Sequence, residues 1–263
     1  MSNSPVAPAT PRRDQIRREA ARLFAARGFL GVGVDEIGKA VGISGPGLYR
    51  HFSGKDAMLA DLLVGISERL LDEGRRRAGA AQTPAAALDA LISGHVDFAL
   101  DDSDLITLHD RELLHLKEED RRRVRRLQRE YVELWVAAVQ GAFPGLAAPT
   151  AEPAARAAVH AVFGLLNSTP HSIGVRPAAA QPVGALGALG TVGALGADGA
   201  AGPDGAGVGA VDRAALLPRA EMAGLLHRLA QGAFTAAAVP DVAHRAARHL
   251  AEGAADVPGA ARA

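Results

Sequence analysis

The stretch from Ser44 to Lys55 reads Ser-Gly-Pro-Gly-Leu-Tyr-Arg-His-Phe-Ser-Gly-Lys and gathers the groups best placed to do chemistry. Tyr49, Arg50 and His51 present a phenol, a guanidinium and an imidazole in succession, and the Lys55 ammonium follows. None of these pairs forms a nucleophile with its base. All of them donate hydrogen bonds, and the two cations suit phosphate oxygens. Gly45, Pro46 and Gly47 remove bulk ahead of them, so the backbone itself can come close to a partner. Lys55 falls where a new helix begins, and free backbone N–H groups there favour a phosphate.

The flanking residues explain how such a set is held. Val34, Ile37 and Val41 place three apolar groups on one face of a short helix, with Asp35 and Glu36 in the first turn, where the helix dipole favours acids. Gly42 can end it in the left-handed conformation, and Ile43 plugs the turn. Ser44 then caps a second short helix anchored by Leu48 and Phe52 at i and i+4. Two short helices about three residues apart, the second tightly capped, make a helix-turn-helix. The bland alternative is ordinary packing, with Tyr49 half-buried and His51 exposed; the full spacing argues against it. Arg12 and Arg13, just before the first helix, would either reach a minor groove or stay solvated.

The segment resembles the TetR/AcrR family of transcription regulators. The family pattern is met at Gly28-Phe29, at Asp35/Glu36-Ile37, at Gly42-Ile43-Ser44, and at Leu48-Tyr49-Arg50-His51-Phe52 with Lys55. One departure stands out: Gly33 occupies the place of the family's usual capping threonine. Glycine caps nearly as well, losing a few tenths of a kcal/mol, but it removes a hydroxyl contact to phosphate. The resemblance implies an all-α fold, with an N-terminal three-helix helix-turn-helix domain and a C-terminal helical ligand-binding and dimerisation domain. Together with the residues read above, the expected DNA-facing set is Arg12, Arg13, Val34, Ser44, Gly45, Pro46, Gly47, Tyr49, Arg50, His51 and Lys55. The partners the resemblance implies are a pseudopalindromic double-stranded operator, a second copy of the chain and a small-molecule effector. Repression is the commoner outcome in the family, with activation the alternative.

The whole chain agrees with such a protein. Its 263 residues carry a formal net charge of zero, yet Thr10 to Arg77 holds 13 Lys+Arg against 9 Asp+Glu. A modestly basic small module joined to an acidic larger one suits a polyanion at one end. The absence of cysteine excludes a disulfide framework, thiolate metal sites and a cysteine nucleophile. With no leader and no long apolar run, a cytoplasmic protein without a membrane partner is expected. There is no Gly-x-Ser-x-Gly elbow, phosphate loop, HExxH or carboxylate pair at metal spacing, so neither enzyme, cofactor nor metal site is expected.

Helical periodicity continues beyond the motif. The organisation expected is a flexible arm at 1–11, a DNA-binding domain at 12–72, and a larger helical domain at 73–173 and 213–240. Residues 174–212 repeat Gly-Ala-Leu-Gly and read as a flexible insertion; 241–263 reads as a tail with a weak helix at Val242–Glu252. Pro144 to Thr150 reads as a loop. The helices at Pro153–Ser168 and Pro218–Ala238, with alanine-rich faces, would form the dimer surface by the resemblance.

Polar groups on apolar helices mark the candidate ligand contacts: His95, Tyr131, Trp135, His160, Asn167 and His171. A buried histidine or tryptophan on such a stripe is more often core than ligand contact. His109, Asp110 and Arg111 read as a solvated helix end, and Arg121 to Arg126 as a solvated face or an anion site. The segment around Leu105-Ile106-Thr107 and the tryptophan-bearing helix looks loosely similar to TetR-type regulators of fatty-acid or acyl-coenzyme A metabolism.

Overall fold

The computed structural model describes residues 11–168 and 217–239. The arm, the Gly/Ala-rich segment, the tail and its Val242–Glu252 helix, and His171 lie outside the described residues. All regular structure among those described is helical.

Helix α1 (Arg12–Arg27) buries Ile16, Ala20 and Phe24 along one stripe and stops at Gly28. Helices α2 (Val34–Val41) and α3 (Gly45–Tyr49) follow, and the long α4 (Lys55–Ala80) closes the first module. Their shared core holds Phe24, Ile37, Leu48, Phe52 and Leu59, each at most 4% exposed. Helix α4 runs unbroken past residues 72 and 73, so the two expected domains share one helix.

The larger part contains α5 (Pro84–Asp101), α6 (Ser103–Glu112), α7 (Glu118–Ala142), α8 (Glu152–Asn167) and α9 (Arg219–Ala237). Thr83 caps α5 by accepting from the Ala86 N–H at 3.1 Å, with Pro84 at the first helical position. Helices α4, α5 and α7 pack mutually, and α9 lies against α5 and α8. Helix α6 bears on α1 and α4, which joins the two parts. Asp102 alone separates α5 from α6, and its φ −121°, ψ 37° turns the chain there.

Two details differ from the sequence reading. The Pro144–Thr150 stretch is mostly two short 3₁₀ turns, Pro144–Leu146 and Pro149–Ala151, each opened by a proline whose fixed φ suits a first helical position. His109 is not at a solvated end: it is 4% exposed, since α6 packs against α1, α4 and α5. Leu229 is 46% exposed, because the buried stripe of α9 runs Met222, Leu226, Ala230 and Phe234.

Candidate nucleic-acid interface and the aromatic core beside it

The turn between α2 and α3 is built by backbone geometry. Gly42 sits at φ 70°, ψ 36°, a left-handed conformation that L side chains rarely adopt. A Cβ on Gly38 would lie 2.9 Å from the Ile43 carbonyl oxygen, so only glycine lets α2 approach the turn this closely. Ser44 Oγ then accepts from the Gly47 N–H at 3.3 Å, satisfying one of the free donors at the start of α3. At the start of α2, Gly33 has no side chain to offer. Glu36 fills in from the third helical position, accepting the Gly33 N–H at 3.2 Å and pairing with Arg27 at 2.6 Å. The Arg27 bond, followed by the Gly33 one, holds the Glu36 carboxyl below its ordinary range.

Leu48 is fully buried and fixes which way α3 faces. At about 100° per residue, Pro46 and Arg50 fall about 160° from Leu48 on either side, along the middle of the outer face. Tyr49 and Gly47 flank that line, and Tyr49 is 56% exposed. His51 lies closer to the core and is half-buried. The outer face thus carries a phenol, a guanidinium and an imidazole beyond a tip without bulky side chains.

Most of the module's other cations are committed internally. Arg12 and Arg13 are the first two residues of α1 rather than part of an arm ahead of it. Arg12 donates to the Val41 carbonyl at 3.0 Å. Arg13 donates to the His51 carbonyl at 3.0 Å and to Asp61 at 2.7 Å, with its guanidinium 4.3 Å from the Phe52 ring centroid. Arg17 binds both Asp61 carboxylate oxygens, at 2.5 and 3.0 Å. Burial pushes the Asp61 carboxyl up, but the hydrogen bonds from Arg17 and Arg13 outweigh it and leave it below its usual range. Lys55 donates to the Phe29 carbonyl at 2.9 Å and sits 4.4 Å from the Phe29 ring centroid. Its other two protons remain available to meet a phosphate.

Four of the six expected ligand residues converge elsewhere, inside the larger part. His95 of α5 is fully buried and stacks 4.9 Å from Phe163, with ring planes 11° apart. Trp135 meets His95 edge-on at 5.8 Å and Phe163 at 5.0 Å. His95 Nε2 contacts Asn167 Oδ1 at 3.1 Å, and Nδ1 contacts the Tyr131 hydroxyl at 3.4 Å. An amide oxygen can only accept, so Nε2 carries the proton and Nδ1 accepts from the phenol. Burial holds the His95 imidazole down to about 4, which keeps it neutral. The buried Trp135 indole N–H has no hydrogen-bond partner. His160 is exposed on α8 and stands apart from this cluster.

Reading the sequence missed Phe163, which is central here, although it lies one helical turn before Asn167. It also missed a polar seam in which Asp89, Ser93, Asp97 and Asp101, each four residues apart on α5, face α9. His227 contacts Ser93 at 3.3 Å and Asp89 at 2.8 Å, Gln231 donates to Asp89, and Arg219 clamps Asp97 and Asp101. The Ser93–His227–Asp89 order resembles a nucleophile relay. Ser93 is mid-helix, however, where neighbouring N–H groups are used by the helix, so the relay's work is to fasten α9 to α5. Asp102, just past the seam, is pushed up to about 7 by burial, against the pull of Arg69. The Arg121–Arg126 run is partly neutralised by Glu118, Glu68 and Glu130. Among the described residues, no cluster of three or more His, Asp or Glu could hold a metal ion, and no helix is long and apolar enough to cross a membrane.

A capped three-helix module that presents one outward helix, continuous with a larger helical bundle, defines a helix-turn-helix protein with a helical companion domain. The model of bacterial regulatory proteins of the tetR family matches residues 16–62, and that of the tetracyclin repressor-like C-terminal domain matches 81–171; together they span just over half of the chain. The chain belongs to the TetR family of bacterial regulatory proteins. It is 30% identical over 131 residues to the HTH-type transcriptional repressor KstR2 of Rhodococcus jostii, a match spanning 49% of this chain and 64% of that one. It is 31% identical over 96 residues to the HTH-type transcriptional activator FasR of Mycolicibacterium smegmatis, spanning 36% of this chain and 44% of that one. Each match therefore spans less than two thirds of the relative. A TetR-family regulator from Bordetella parapertussis superposes with a TM-score of 0.56 at 25% identity, over 61% of this chain and 83% of that one.

Proposed function

We propose that the chain is a cytoplasmic, homodimeric DNA-binding transcription regulator without catalytic activity, acting as a repressor that leaves its operator when a small molecule binds the larger domain. The outer face of α3 carries this reading, because it exposes Tyr49 and Arg50, with the half-buried His51 beside them, while the core beneath it is fully packed. Tyr49, His51 and the remaining protons of Lys55 anchor phosphates, with the Gly45–Gly47 tip allowing close approach. Arg13 positions α3 from behind through the His51 carbonyl.

The exposed faces of α8 and α9 form the dimer surface. Ala157, Ala161 and Gly164 on α8 and Leu225, Leu229 and Gly232 on α9 recur at helical spacing, and small residues let helices from two copies approach. A two-fold axis there would set two α3 helices about one DNA turn, roughly 34 Å, apart. The effector would occupy the region of His95, Tyr131, Trp135 and Asn167. Its acyl or acyl-coenzyme A character rests on the loose sequence similarity alone. Helix α6 touches α1 and follows the Asp102 turn, so a change at the aromatic cluster has a short route to the DNA-facing module. The similarity to KstR2 favours repression; that to FasR keeps activation as the second reading.

The test is binding to a randomised duplex pool. The full chain should enrich a two-fold symmetric sequence and bind it with steep salt dependence. Binding that is absent, or equal for all duplexes, defeats the reading.

A further inference from the structure

We infer that Arg50 is the residue that reads sequence, and that the operator half-site carries a guanine opposite it. This rests on the DNA-binding reading above and assigns a role within it.

The argument is one of elimination on a face of known orientation. Nine cations lie between Arg12 and Lys55. Arg12, Arg13, Arg17, Arg22, Arg27 and Lys55 all donate to acceptors of this chain. Of the remaining three, Arg18 is half-buried on α1, with its Nε enclosed, and Lys39 lies on α2, off the α3 face. Arg50 is exposed and sits on the central line of the outer α3 face, at φ −70°, ψ −21°. Its companion on that line is Pro46, one helical turn earlier, which has no hydrogen to donate. Gly45 and Gly47 have no side chains, and the short Ser44 hydroxyl is turned to the Gly47 N–H, so no other long donor stands at the tip.

A group on the central line of a helix lying in the major groove meets base edges, whereas flanking groups meet the two phosphate walls. A guanidinium offers two parallel N–H donors, and guanine alone presents two acceptors, O6 and N7, on one major-groove edge. Adenine pairs an acceptor with a donor there, so Arg50 discriminates by its fork. With a single long donor on that central line, and the Tyr49 phenol off to its flank, bidentate base reading is concentrated at one position in each half-site. The remaining preference comes from duplex shape.

The experiment repeats the pool selection with wild type, Arg50→Ala and Arg50→Lys, and measures affinity for the selected duplex with each of the four bases at every half-site position. Thermal melting checks that the variants fold, which an exposed side chain without internal partners allows. Wild type should prefer guanine at one position by about tenfold to a hundredfold per half-site. Arg50→Ala should level the four bases there and leave the other positions unchanged. Arg50→Lys should keep most of the salt dependence and show a weaker guanine preference, because an ammonium lacks the planar fork. If Arg50→Ala instead weakens every duplex equally and lowers the salt slope by about one per subunit, Arg50 is a phosphate anchor and the inference is overturned. An intact guanine preference in Arg50→Ala overturns it too. Failure of wild type to select any sequence defeats the DNA-binding reading itself, a different result from either.

Discussion

The α3 face and the aromatic cluster handle polar groups in opposite ways. Around α3, charges stay at the surface and are tied to one another: Asp61 collects Arg13 and Arg17, and Glu36 collects Arg27. Around Trp135, polar atoms are buried and uncharged, with a neutral His95 bonded to an amide and a phenol. The first arrangement suits a partner that is itself a strong polyanion, because screened surface ion pairs hold a framework while leaving selected donors free. The second suits a region whose state depends on packing, where one misplaced group costs far more than it would in water.

The largest effect expected of this contrast is on stability. Trp135→Ala should destabilise the chain by about 3–5 kcal/mol, because a fully buried indole leaves a cavity that its neighbours only partly fill. Tyr49→Ala, at an exposed ring, should leave stability within about 0.5 kcal/mol while weakening duplex binding. Denaturant unfolding monitored by circular dichroism compares the two. Equal losses would mean that the regions do not divide labour between packing and contact.

Acid should separate them next. The folded His95 imidazole titrates near 4, against 6.5 for a free histidine, and His109 behaves alike because burial disfavours its charged form. The unfolded chain therefore binds more protons between those values, and stability falls as pH drops from about 6.5 towards 4. The loss approaches about 3 kcal/mol for each histidine. Asp102 works the other way: its folded carboxyl titrates near 7, so its contribution falls as pH rises from about 4 to 7. His95→Gln should remove roughly half of the histidine slope in pH-dependent unfolding, and Asp102→Asn should steepen what remains. A profile flat from pH 6.5 to 4 in both variants and wild type would contradict the burial of these groups.

These two regions were unequally legible in the sequence. The turn of the helix-turn-helix module is local: Gly42, Ser44, Leu48 and Phe52 announce stop, cap and anchor within one short window. The aromatic cluster joins residues as far apart as His95 and Asn167, separated by 72 positions, so periodicity could mark each as core-facing but could not bring them together. Phe163 was passed over because a phenylalanine on an apolar stripe signals nothing but burial. The fates of Arg12, Arg13 and Lys55 were hidden for a related reason: their acceptors are backbone carbonyls and Asp61, invisible to a motif. The i+4 row of Asp89, Ser93, Asp97 and Asp101 could have been found, since four polar residues at that spacing on one helix ask for a polar neighbour.

Asp61 tests whether ties behind the α3 face matter to it. Asp61→Asn removes a carboxylate shared by two guanidiniums but touches no outward group. It should cost about 1–2 kcal/mol of stability, since the pairs are only partly buried. It should also weaken duplex binding, because Arg13 then holds the His51 carbonyl less firmly. Its stabilising share in wild type is present above the ordinary carboxylate pKa and lost as pH falls through the depressed folded value, so wild type and variant should converge in strong acid. Unchanged duplex affinity at the lower stability would show that the face does not depend on this support.

The smallest effect belongs to the missing hydroxyl. Gly33 caps α2 at φ −90°, ψ 152°, an extended conformation open to any residue, and a Cβ there would meet nothing within 4 Å. Gly33→Ser should therefore fit without strain and gain a few tenths of a kcal/mol, by adding a side-chain acceptor for a free N–H at the helix start. Glu36 already accepts the Gly33 N–H, so the new hydroxyl completes a reciprocal pair and does not replace one. The same hydroxyl would stand at the start of α2, where a phosphate lying along the groove could accept from it. A small rise in duplex affinity that fades with added salt would place α2 against the DNA backbone. A gain in stability alone would confine the interface to α3 and Lys55.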